Sequence, residues 1–145
     1  MTKRRLTRGV LWAAIAATTL FIWSWSLKSA DASQAQSDTV RRLIVAVCGT
    51  EATGSWLYVY IRKVGHFAEF ALLGGEWGIA RRWLTDRLRW LALAAGPTVA
   101  ACDELLQHLS AGRSPQVSDV LLDCIGYAVG MAAAWAFFCL RERRK

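Results

Sequence analysis

Four long apolar stretches separated by short polar ones set out this chain. Gly9 to Leu27 carries no charge, and neither does Leu91 to Cys102 or Ile125 to Leu140. A fourth stretch, Val64 to Ala80, is apolar but interrupted by His66, Glu69 and Glu76. Runs of about 20 apolar residues match the thickness of a bilayer crossed by a helix. The pattern predicts an all-α fold in one domain over residues 1–145, an integral membrane bundle of four transmembrane helices. The expected spans are 9–27, 64–80, 90–109 and 119–140. Pro97 removes one backbone donor inside the third and is a candidate kink. Asp38 or Thr39 could cap a short amphipathic helix in the first outward loop. There Val40, Leu43, Ile44 and Val47 recur at helical spacing, with Arg41 and Arg42 on the other side. The basic start, the apolar run and Ala30-Asp31-Ala32 also fit a cleaved leader loosely. The run is long for one, and Trp23 and Trp25 suit interface anchors, so an uncleaved first helix is expected.

Composition sharpens this. Hydrophobic residues make up 54% of the 145, above the 45–50% usual in soluble domains. The net charge of +7 would suggest nucleic acid for a soluble protein. Here Lys and Arg sit just outside the apolar blocks, where membrane orientation is set, so no nucleic-acid partner is expected. Twelve of the eighteen lie in the amino end, the Arg81–Arg89 turn and the tail after Leu140. The positive-inside rule then places both termini in the cytoplasm, as in a multi-pass protein of the cell membrane. Residues 28–63 and 110–118 face outward. Cys48, Cys102, Cys124 and Cys139 show no CxxC spacing, and three of them, in or beside apolar blocks, read as small buried hydrophobes. No cofactor or metal motif is apparent.

The polar residues within the spans gather at one level. Arg62, His66 and Glu69 share a helix face, with Lys63 beside them. Asp103, Glu104 and Gln107 close the outward end of the third span. Asp119 and Asp123 open the fourth, and Arg113 stands in the loop between. Topology brings them all to the outward membrane surface. Carboxylates near hydrocarbon need cations or donors, so Arg62, Lys63 and Arg113 are the expected partners. Gly126 and Gly130 continue the Asp119–Asp123 face as a GxxxG, whose plain reading is close helix packing. Glu76 lies deeper and either faces the bundle or snorkels inward.

At these residues the chain resembles the VanZ-like family of bacterial membrane proteins. One family motif is matched by Lys63-Val64-Gly65-His66-Phe67-Ala68-Glu69-Phe70. The other is similar to Asp103-Glu104-x-x-Gln107, then Arg113, then Asp119-x-x-x-Asp123-x-x-Gly126-x-x-x-Gly130. Asp123 departs from the Asn of the family pattern, and the extra acid raises the need for a cation. The resemblance implies a small multi-helix protein of the cell envelope. The family is named for a protein associated with resistance to the lipoglycopeptide teicoplanin, so an antibiotic-resistance role is implied for the namesake.

Three functions compete. An outward polar pocket could bind a membrane lipid head group, a lipid-linked cell-wall precursor or an amphiphilic glycopeptide antibiotic, since Arg62, Lys63 and Arg113 suit phosphate or carboxylate. A membrane-embedded hydrolase or transferase could use His66 as general base oriented by Glu69, with Asp103, Glu104 or Asp119 as acid or metal ligand. A proton-coupled transporter or channel subunit could use the acids as a relay. No Ser or Cys nucleophile motif and no HExxH accompanies these residues.

Overall fold

The computed structural model describes residues 3–28, 35, 38–40, 42–43, 46, 55–110 and 116–144. Among them every regular element is helical. The long helices are α1 (Lys3–Ser26), α2 (Ser55–Ala80), α3 (Arg89–His108) and α4 (Val117–Arg143). Two single 3₁₀ turns, Arg81–Trp83 and Asp86–Leu88, join α2 to α3. The short amphipathic helix expected around Ile44 and Val47 falls largely outside the described residues, as do Cys48 and Arg113.

α2 starts at Ser55, well ahead of the apolar boundary at Val64. Arg and Lys are good helix formers, so Arg62 and Lys63 end the apolar run without ending the helix. α3 continues through Pro97 to His108. The α1 segment Arg5–Ser26 and the whole of α4 are long and apolar enough to cross a membrane. α2 and α3 do not meet that measure. The ionisable residues along them, Arg62, Lys63, Glu69 and Glu76 on one and Asp103 and Glu104 on the other, dilute their apolar character.

Burial is inverted relative to a water-soluble bundle. Ser26, Asp103, Glu104, Gln107, Asp119 and Asp123 are buried, while Leu20, Phe21, Leu93, Leu121, Ile125, Trp135 and Phe137 are exposed. An exposed apolar shell this extensive marks a surface that meets something other than water. The apolar core runs between the helices through Ile15, Ile22, Phe70, Leu73, Val99, Ala100 and Tyr127.

The closest packing is between α2 and α4. A methyl group added at Gly126 would stand 2.6 Å from the Phe67 carbonyl oxygen, and one at Gly130 would run into the Ala71 carbonyl. From the other side, Gly74 faces the Tyr127 backbone, and a methyl at Gly78 would stand 2.8 Å from the Ala134 Cβ. Reciprocal glycines therefore let the two backbones touch. Tyr127 ties α4 to α3, its hydroxyl donating to the Ala92 carbonyl at 2.6 Å. On α1, Trp12 packs edge-on against Trp77 with ring centroids 5.5 Å apart. Trp23 Nε1–H donates to the Val99 carbonyl at 3.4 Å. The Thr18 hydroxyl donates to Glu76 Oε1 at 3.0 Å, so Glu76 faces α1 inside the bundle.

Consecutive helices run in opposite directions, so the closely packed α2 and α4 are parallel, with Phe67 beside Gly126 and Gly78 beside Ala134. At one end the Arg8 guanidinium lies 5.4 Å from the Trp83 ring centroid, and Arg82 pairs with Glu142 at 3.0 Å. The start of α1, the α2–α3 turn and the end of α4 meet there. At the opposite end the Ser110 hydroxyl donates to the Ser26 carbonyl at 2.8 Å, bringing the ends of α1 and α3 together.

Candidate functional site

Three helices each bring one i,i+4 pair to this opposite end: Arg62 and His66 from α2, Asp103 and Gln107 from α3, Asp119 and Asp123 from α4. Residues four apart stand one above the other on a helix, so each pair presents two polar groups to the same interior. The last residue of α1, Ser26, closes the fourth side.

Hydrogen bonds fix the centre of the cluster. Asp103 is fully buried; its Oδ1 accepts from the Ser26 hydroxyl at 2.5 Å and its Oδ2 from Gln107 Nε2 at 2.9 Å. Gln107 Oε1 accepts in turn from Arg62 Nη2 at 2.9 Å. Glu104 Oε2 accepts the Gln116 backbone N–H at 3.0 Å, which ties the α4 entry to α3. Longer contacts complete it. Asp119 lies 3.8 Å from Arg62 and 3.9 Å from Lys63, and His66 Nδ1 lies 3.9 Å from Asp103 and 3.8 Å from Asp123. These separations lie beyond the range of direct hydrogen bonds, and the contacts of Arg62 and Lys63 with Asp119 act by charge.

Charge is sorted by depth. Asp103 and Asp123 have no exposed surface, whereas the Arg62 and Lys63 side chains are 36% and 43% exposed. The interior is therefore acidic and the rim basic. Neither carboxylate oxygen of Asp123 has a hydrogen-bond donor, nor does Glu104 Oε1, among the described residues.

Of the residues expected at the site, the structure brings together Arg62, Lys63, His66, Asp103, Glu104, Gln107, Asp119 and Asp123. Glu69 is half-buried on α2, within electrostatic reach of Asp103. His66 Nδ1 stands within 4 Å of Asp103 and Asp123, which come from α3 and α4. Gly126 and Gly130 stand at the α2–α4 contact. Ser26 is the participant that sequence reasoning missed. Its only signal was its place at the outward end of the first span. A separate groove of about 370 Å³ opens beside α3 and α4, walled by Leu93, Pro97, Tyr127, Met131 and Trp135, and carries no part of the cluster.

The fold and this cluster define a class: a small all-helical protein with a greasy exterior and buried ionisable groups at one end. The chain belongs to the VanZ/LLP1 family, whose model matches residues 10–139. With two helices able to cross a bilayer, that membership points to a membrane protein. Comparison with curated proteins and with solved structures gave no match.

Proposed function

We propose that this protein is a four-span protein of the cell membrane that holds the anionic head group of an amphiphile at the polar end of its bundle. One observation carries the reading. Buried polar groups from four helices meet at one level, inside a shell of exposed apolar side chains and under a rim formed by Arg62 and Lys63. Ionisable groups at membrane depth are costly and mark sites by default. Arg62 spends one N–H on Gln107, and both rim cations stand 3.8 and 3.9 Å from Asp119, so their remaining N–H donors suit a phosphate or carboxylate.

The amphiphile is a membrane lipid, a lipid-linked cell-wall precursor or a glycopeptide antibiotic, in a resistance-type role by family resemblance. Both termini face the cytoplasm and the cluster faces outward, in line with the distribution of basic residues. A second reading, a hydrolase or transferase on a lipid-linked substrate, draws support from the imidazole of His66 standing between two carboxylates.

Native mass spectrometry of the full chain purified in mild detergent tests the binding reading. A phosphate- or carboxylate-bearing amphiphile is expected to accompany the protein. Its occupancy should fall about tenfold or more when Arg62→Ala and Lys63→Ala are combined, because each charge-assisted hydrogen bond is worth about 1.5–3 kcal/mol. Equal retention by a folded double variant contradicts the reading.

A further inference from the structure

We propose that His66, Asp103 and Asp123 form a site for one divalent transition-metal ion, of the zinc or manganese type. One potential ligand atom from each residue lies within 4.8 Å of the other two, and the residues come from three different helices. Donor atoms around a tetrahedral zinc ion, at about 2.0–2.2 Å from the metal, stand about 3.3–3.5 Å from one another. The His66–Asp103 and His66–Asp123 separations of 3.9 and 3.8 Å need to close by only roughly half an ångström to match that geometry.

A second, independent observation points the same way. Asp123 is fully buried, and neither of its oxygens has a hydrogen-bond donor among the described residues. Its Oδ1 faces His66 Nδ1 within the cluster. A buried carboxylate left in this state calls for a cation. Among the described residues Arg62 and Lys63 reach Asp119, and neither stands within ion-pair distance of Asp103 or Asp123. Two carboxylates balance the charge of a divalent ion, and one imidazole with two carboxylates suits zinc or manganese.

Asp103 has the support that a ligating carboxylate needs. Ser26 and Gln107 each donate to one of its oxygens, fixing its orientation while leaving lone pairs for a metal. The His66 side chain is 14% exposed, which gives the site one open flank for ion entry and an exogenous ligand. The inference rests on the same cluster as the proposed head-group site. The two fail separately, because metal is read without any added amphiphile.

The test uses the full chain with a tag free of histidine, loaded with Zn²⁺ or Mn²⁺, desalted, and assayed by elemental mass spectrometry. Wild type is expected to hold close to one ion per chain. Asp123→Asn and His66→Ala should lose it, while Glu76→Gln, which alters an acid bonded to α1, should keep it. Ser26→Ala, which removes the hydroxyl bonded to Asp103, should weaken zinc binding about 10–100-fold with the helical signal unchanged. Should the ligand variants fail to fold, wild type alone decides: Co²⁺ should give a visible absorption band that Zn²⁺ abolishes. Wild type without a bound ion or a cobalt band overturns the proposal and leaves Asp123 to a cation from the chain, such as Arg113. Undiminished metal in folded Asp123→Asn and His66→Ala overturns it equally.

Discussion

Replacing Gly130 by alanine tests the backbone contact on which the bundle depends. The new methyl would collide with the Ala71 carbonyl and stand 2.9 Å from the Gly75 nitrogen. Both are backbone atoms, so no side-chain rotation relieves the clash. α2 and α4 must move apart by roughly an ångström or more, which forfeits part of the dispersion energy along the whole seam. Overpacking of this kind costs about 1–3 kcal/mol, and a rigid backbone neighbour puts this case at about 3. Alanine returns about 0.5–1 kcal/mol through its better helix propensity. The net loss is about 2 kcal/mol, or about 30-fold in the folding equilibrium. Gly65→Ala serves as the internal control, because a methyl there meets nothing within 4 Å. It should stabilise by about 0.5–1 kcal/mol. Ala133→Leu, on an exposed position of α4, should be close to neutral. Reversible unfolding in mixed micelles, titrated with a denaturing detergent, reads all three. If Gly130→Ala proves as stable as Gly65→Ala, the α2–α4 backbone contact does not exist as described.

Two smaller effects follow. Tyr127→Phe removes the 2.6 Å hydrogen bond to Ala92 and should destabilise by about 0.5–1.5 kcal/mol in the same assay, with no loss of helix by circular dichroism. The Arg82–Glu142 pair is exposed at both partners, so a double-mutant cycle should give a coupling of about 0.2–1 kcal/mol that fades with added salt; a larger, salt-insensitive value would place this end out of water.

The four long helices were legible because apolar continuity and helix length coincide in this chain. The start of α2 was not, because a charge pair closes an apolar run without breaking a helix. The level of the polar cluster could be read from topology, since three i,i+4 pairs lie at the ends of the expected second, third and fourth spans. Which groups face one another could not. Spacing along α2 put Glu69 beside His66, but it could not show the helix rotation that turns His66 toward Asp103 and Asp123 on its neighbours. The Ser26–Asp103 bond joins residues far apart in sequence, and a lone serine at a helix end carries no signal of it. The partner of Gly126 and Gly130 was findable, because Gly74 and Gly78 repeat the same four-residue spacing on α2. Thr18 as the partner of Glu76 has no counterpart in the sequence pattern, since it depends on how α1 is rotated about its own axis.

The central claim is an ionisable cluster at the outward end of a membrane bundle. Thiol labelling in intact cells tests it most directly, using a chain in which the native cysteines are replaced. Gln116→Cys lies beside the cluster, where its backbone N–H meets Glu104, and Arg87→Cys lies in the turn at the opposite end. An impermeant maleimide should label position 116 in intact cells and position 87 only after permeabilisation. Labelling of position 87 from outside, or protection of position 116 until the cells are opened, would contradict the claim.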